Sequence, residues 1–262
     1  MARRRSKVTS TPFSRRRALA GLAALFTASR ASALGQAGAF QPRLLKTGGV
    51  ELTGPRLSGP ERWGWELVRR TSAPARLVTK LVGADDPALF DEPFVMWCGE
   101  GAPPALSGPE RRGLAQFIQL GGVLLIDDWD PVGGAFSKAV RTELESLLPE
   151  SPIVSLEPEH VLFKTYYIVD RPYGRLEGPT QVDAIVRGGY AQVLLLRHDL
   201  LGALARTRAG GWALGVEPGG FMQREYATRL AVNIAMYVLC SDYKDDQVHV
   251  AWLIRRGVPV RP

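Results

Sequence analysis

Apolar residues follow two rhythms along this chain. Short dense runs, such as FVMW (94–97), VLLID (123–127) and AQVLLL (191–196), alternate with longer stretches in which apolar residues recur every three or four positions. The dense runs are too short for helices and read as strands buried on both faces, whereas the spaced stretches read as helices carrying one apolar stripe. Strands are predicted at 42–46, 76–81, 94–97, 123–127, 153–156 and 191–196. Helices are predicted at 109–120, where Leu114, Phe117 and Ile118 share a face and Gly121-Gly122 stops the run, at 134–148, and at about 221–240. Such alternation predicts an α/β fold, a mostly parallel sheet flanked by helices.

Two eight-residue stretches nearly repeat, LSGPERWG at 57–64 and LSGPERRG at 106–113. Each sets a Ser three residues before a Glu, so Ser58 with Glu61 and Ser107 with Glu110 are predicted to form capping boxes that open helices. The match ends there, which makes it two similar helix starts and not a duplicated domain. Residues 149–179, rich in Pro, Glu and aromatics, read as a long ordered loop or insertion of the kind that is often functional. The segment from Ser241 begins polar, and Asp242, Lys244, Asp245 and Asp246 read as a solvated turn after the last helix, with the apolar end packing back on the body.

Charge alters the picture only at the amino end. The net charge is +7, but residues 1–33 hold eight basic residues and no acidic one, leaving −1 for residues 34–262. A nucleic-acid partner therefore loses its main support. Residues 1–33 read as an export signal: a basic start, the apolar run ALAGLAALFTA, then Ala31-Ser32-Ala33 as a small-x-small cleavage site. Ser14-Arg15-Arg16-Arg17-Ala18-Leu19 resembles the twin-arginine motif, with Ala18 where a large apolar residue is usual. No apolar run approaches the roughly 20 residues of a transmembrane helix. The expectation is a periplasmic chain made of this leader and one α/β domain spanning 34–262. Cys98 and Cys240 are compatible with one bridge or with two buried thiols.

GGVLLIDDWD (121–130), EPEHVLFKTYY (157–167), RHDL (197–200) and VNIAMYVLCSDYKDDQVH (232–249) together resemble the bacterial "domain of unknown function 4159" family, from about Phe40 to Arg256. The resemblance implies an amidotransferase-like, flavodoxin-like three-layer sandwich and supplies no reaction. In amidotransferase-like folds, a strand at this point ends in an elbow that carries a nucleophilic Cys between glycines. Here the elbow falls on Ile126-Asp127-Asp128-Trp129, without Cys or flanking Gly. Cys98, in WCGEG, ends the preceding strand and has no His near it in sequence, so a Cys-His-Glu glutaminase is not expected.

Candidate chemistry gathers where strands end, since open parallel sheets bind ligands beyond their carboxyl edge. Trp97, Glu100, Asp128, Trp129 and Asp130 leave strands at that edge, and His160, Tyr166 and Tyr167 sit on the long loop that is expected to fold over them. Acids with a His suit a divalent cation held by Asp128, Asp130 and His160, and acids with Trp suit a glycan. Asp residues at such a place also serve as helix caps and turn formers. Strand alternation predicts that Asp127 faces the core as a structural acid and that Asp128 faces the cleft. His198 and Asp199, if on a strand, point to opposite faces. His249 lacks zinc-motif spacing. The function expected from these features is binding of a small molecule, glycan or protein partner without catalysis; the alternative is a metal-assisted hydrolase using Asp127, Asp128, Asp130 and His160.

Overall fold

The computed structural model describes residues 38–49 and 51–255, with 241–255 described by backbone alone. The leader expected at 1–33, the side chain of His249 and the chain after residue 255 lie outside the described residues.

Seven strands form one sheet: β1 (Arg43–Lys46), β2 (Lys80–Gly83), β3 (Phe94–Gly99), β4 (Val123–Asp128), β5 (Ile153–Ser155), β6 (Asp183–Arg187) and β7 (Tyr190–Leu196), in the order β2-β1-β3-β4-β7-β6-β5. Strands β2, β1, β3, β4 and β7 are parallel, and β6 runs against both of its neighbours. The helices are α1 (Gly59–Thr71), α2 (Gly108–Gln119), α3 (Ala135–Leu147), α4 (Leu200–Leu204) and α5 (Gly220–Arg255).

Alternation along the central strands feeds two cores. Leu44, Met96, Leu125 and Leu194 pack with Trp63 and Leu67 of α1 and with Leu230 and Ile234 of α5. Their neighbours Leu45, Val95, Leu124 and Ile126 pack on the other face with Leu114 and Ile118 of α2 and with Val140 and Leu144 of α3. Because both faces are covered, the strands are apolar throughout, as doubly covered parallel sheets are. Arg43 is buried at the amino end of β1, where its guanidinium donates to the carbonyls of Phe94, Ala88, Leu89 and Glu92 and pins the 3₁₀ turn at Pro87–Asp91 to the sheet.

Several local expectations meet their structure here. The capping box at α2 is complete: the Ser107 N–H donates to Glu110 Oε2 at 2.7 Å and the Glu110 N–H donates to Ser107 Oγ at 3.4 Å. The other carboxylate oxygen of Glu110 accepts from the Gly48 N–H at 2.7 Å, which ties α2 to the loop after β1. The box expected at Ser58 does not form. A 3₁₀ turn at Pro55–Ser58 runs straight into α1, so Ser58 is already helical, and its hydroxyl bridges Pro55 O with the backbone of Arg206.

The strand expected at 76–81 starts later, at Lys80, because the backbone of Ala75 and Arg76 pairs with Phe40. Strand β6 was not expected; it turns into β7 through Gly188-Gly189, both with positive φ (57° and 84°), a two-residue hairpin signal. The polar turn expected after Cys240 is absent, since α5 continues through Arg255. No helix among the described residues is long and apolar enough to cross a membrane. Cys98 and Cys240 are both free, the first buried in β3 and the second exposed.

Candidate functional site

The two acids that end β4 point to opposite faces of the sheet, and each finds the start of a helix there. Asp127 shares the face of Leu125. Its Oδ1 accepts from the Leu200 N–H at 2.8 Å and its Oδ2 from the Leu201 N–H at 3.0 Å, at the beginning of α4. Asp128 shares the face of Ile126. Its Oδ2 accepts from the Ser137 N–H at 3.1 Å in the first turn of α3, and its Oδ1 from the Asp130 N–H at 3.0 Å. Both are 0% exposed. Asp128 is therefore not the cleft acid that alternation suggested: with helices on both faces, the side away from one core is the other core. Burial, reinforced by the charge of Asp199, pushes the Asp127 carboxyl up to about 7, despite its two N–H donors and nearby Arg56.

Asp199 stands just past β7, not on a strand, in a left-handed conformation (φ 53°) that Asp tolerates better than most residues. It caps α4 through the Gly202 N–H at 2.9 Å, and its own N–H donates to Asp128 O at 3.0 Å. Gly202 is required here, because a Cβ would lie 2.4 Å from the Asp199 carboxylate. The same carboxylate takes a bidentate pair from Arg56, Nε to Oδ1 and Nη2 to Oδ2, both at 2.8 Å, and a further bond from Arg175 Nε. Sequence reasoning missed this Arg56–Asp199–Arg175 assembly. The D-x-x-G pattern at 199–202, two residues after a dense apolar run, was the available signal for the cap, and nothing local marks the two distant arginines.

Arg56 leads from this buried anchor to a cleft. Its guanidinium carbon lies 4.8 Å from the centroid of the Trp129 ring, and its Nη1 has no hydrogen-bond partner among the described residues. Burial opposes its charge, but Asp199, Glu100 and Asp127 together outweigh burial and hold it above its ordinary pKa. The cleft has a volume of about 390 Å³ and is lined by the ends of β1 and β3, by the loops that follow them, and by Trp129 and Phe136. Strand order reverses at this point: after β1 the chain goes outward to β2, then crosses back to β3 on the other side of β1. In open parallel sheets such a reversal opens a crevice at the carboxyl edge, where ligands bind.

Of the candidate ligand residues, Trp97, Glu100 and Trp129 come together at this cleft. Trp97 is 2% exposed, with its ring edge-on to Phe136 at 6.1 Å, and Trp129 is 8% exposed, so neither offers the open face that a stacked sugar needs. Glu100 is exposed at the mouth. Asp130 closes its own turn by accepting from the Gly133 N–H at 3.0 Å. His160 does not join them. It packs 6.0 Å from Tyr237, whose hydroxyl accepts from the Ala191 N–H at the amino end of β7, the opposite edge of the sheet. The cation site expected from Asp128, Asp130 and His160 is not assembled. Among the described residues no group of three or more His, Cys, Asp or Glu is arranged to hold a metal ion.

The long loop follows a similar course. Its first part docks on α5, where Asn233 accepts from the Tyr166 and Tyr167 N–H groups and donates to Tyr167 O. Only its end reaches the site, where Arg175 and Leu176 hydrogen-bond the carbonyls of Asp199 and His198. Gly174 and Gly178 permit this approach, since a Cβ on them would lie 2.0 Å from His198 O and 2.1 Å from Arg197 O. His198 is buried beneath them, and burial lowers its pKa to about 4. Cys98, next to Asp127 in the β3/β4 register, is buried, and burial plus the charges of Asp127 and Asp199 raise its thiol well above the usual range, the reverse of an activated nucleophile.

A mostly parallel α/β sheet with a cleft at its strand reversal, walled by an anchored arginine and two tryptophans, defines the general class. The chain belongs to the family described as Domain of unknown function (DUF4159), which matches residues 45–239 and so takes in β3, β4 and the Arg56–Asp199 assembly. No curated protein matches it.

Proposed function

We propose that this chain is an exported, non-catalytic binding domain on an amidotransferase-like scaffold, and that its ligand is a small organic acid seated in the strand-reversal cleft. The carboxylate of the ligand meets Arg56, and its apolar body lies along Leu52, Trp97, Trp129 and Phe136. The observation that carries this reading is the fixed state of Arg56: two of its nitrogens are locked on buried Asp199, and the residue so held lines the cleft. A guanidinium immobilised in this way loses little entropy when it binds an anion.

The order 2-1-3-4-7 of the parallel strands, with helices on both faces, supports the amidotransferase-like scaffold. Asp127 and Asp128 occupy the elbow where such a fold would carry its nucleophile. The basic leader with Arg15-Arg16-Arg17 and Ala31-Ser32-Ala33 supports export through the twin-arginine route to the periplasm.

Ligand-observed NMR with benzoate, phenylacetate and their amides tests the binding. The acids are expected to bind about tenfold or more tightly than the matched amides, the difference made by a charge-assisted hydrogen bond. Equal binding of acid and amide, or turnover of the amides, contradicts the proposal.

A further inference from the structure

Away from the cleft, α1, α5 and the 205–213 hairpin bring three guanidinium groups onto one indole. The guanidinium carbons of Arg206, Arg224 and Arg62 lie 3.3, 4.1 and 5.6 Å from the centroid of the Trp212 ring. The ladder continues, with Arg62 at 3.8 Å and Arg69 at 4.9 Å from the centroid of Trp65. Trp65 and Trp212 are each 37% exposed.

Like charges this close repel unless something compensates them. Stacking on the indole recovers part of the cost. Carboxylates recover little: among the described residues Glu66 alone forms an ion pair with any of the three, and it is shared between Arg62 and Arg70. Arg224 satisfies its donors on Ala203 O and Leu214 O. By contrast, the Nε groups of Arg62 and Arg206 are buried and have no hydrogen-bond partner among the described residues, so neither charge is fully compensated within the fold. Arg206 is held in place by its own hairpin, through Gly210 O and the Arg206–Trp212 bridge. The result is a preformed cluster with about two positive charges in excess.

We propose that Arg62 and Arg206, both held against Trp212, form a binding site for a phosphate anion, whose negative charge offsets the excess and whose oxygens match the planar fork of a guanidinium. The phosphate group comes either from a soluble phosphorylated molecule or from a phospholipid headgroup. This site is independent of the Arg56 cleft.

Thermal melts and vesicle co-sedimentation of the full-length chain test the site, with the double variant Arg62→Gln/Arg206→Gln as the comparison. The basic residues of 1–33 are then common to both proteins. Inorganic phosphate, against chloride at matched ionic strength, is expected to raise the melting temperature of the wild type by about 2–4 °C and not that of the variant. That result assigns a soluble source. Stronger sedimentation of the wild type than of the variant with phosphatidylglycerol–phosphatidylcholine vesicles, and not with phosphatidylcholine alone, assigns a headgroup. Should the double variant melt too low to compare, Arg206→Lys keeps the charge but not the fork, and a phosphate midpoint about tenfold weaker is expected. The proposal is overturned if neither probe separates wild type from variant, or if Arg206→Lys binds phosphate equally well.

Discussion

Asp127 and Asp128, consecutive at the end of β4, accept backbone N–H bonds at the starts of two different helices on opposite faces of the sheet, α4 for Asp127 and α3 for Asp128. The pair thus fixes both layers relative to the carboxyl edge on which the cleft opens. Replacing either by Asn leaves one oxygen where two were used and turns an amide donor toward a backbone N–H. Each substitution is expected to cost about 1–3 kcal/mol, read as a lower urea midpoint at unchanged slope. A neutral Asp128→Asn contradicts this assignment.

Arg56 and Asp199 stabilise the same edge from the other side. Removing the guanidinium leaves the buried carboxylate with Arg175 as its remaining ionic partner. Arg56→Gln is expected to destabilise by roughly 3 kcal/mol in urea unfolding, as when a buried pair is broken. Arg171→Gln, whose pair with Glu177 is largely exposed, is expected to change the midpoint little.

Acid sensitivity follows from His198. Its folded pKa of about 4 lies below the ordinary 6.5, so between these values the unfolded chain holds a proton that the folded chain does not. The contribution of neutral His198 to stability is therefore lost as pH falls from about 6.5 toward 4, by an amount on the order of 3 kcal/mol. Asp127 acts with the opposite sign. Its folded pKa is raised from 3.8 to about 7, and its contribution fades as pH rises through that value. Comparing wild type with His198→Gln across this range isolates the histidine: the variant is expected to lose less stability in acid, and parallel curves contradict the assignment.

Close backbone approach at Gly174 makes a steric prediction. A Cβ there meets His198 O at 2.0 Å, so Gly174→Ala is expected to displace the loop end that carries Arg175 and to cost about 2 kcal/mol or more. Gly210→Ala, where no atom lies within 4 Å but φ is +84°, is expected to show only the smaller backbone penalty of about 1 kcal/mol. Urea midpoints of the two variants order these effects.

Legibility in the sequence depended on how local each determinant is. The dense runs at β3, β4 and β7 and the capping box at Ser107 carry their structure within a few residues, and they read correctly. Strand β6 was missed because its run is short and flanked by polar residues, although Gly188-Gly189 marked the hairpin beside it. The cleft position of Trp97, Glu100 and Trp129 was legible from the rule that parallel sheets bind beyond their carboxyl edge. The role of Asp128 was not, since strand alternation says which residues face apart but not whether both sides are covered. His160 was drawn to the wrong edge because the loop at 149–179 docks through Asn233 of α5, 66 or 67 residues further along the chain. The Arg56–Asp199 pair spans 143 residues, beyond the reach of any local pattern.

Ligand binding in the strand-reversal cleft, with Arg56 at its wall, is read out by following backbone amide and indole NMR resonances of the protein during titration with phenylacetate. The shifts are expected to concentrate at residues 54–56 and 99–101 and at the Trp129 indole. Shifts confined to the opposite edge, around Val161, Tyr190 and Tyr237, or the absence of any saturable shift, contradict the account.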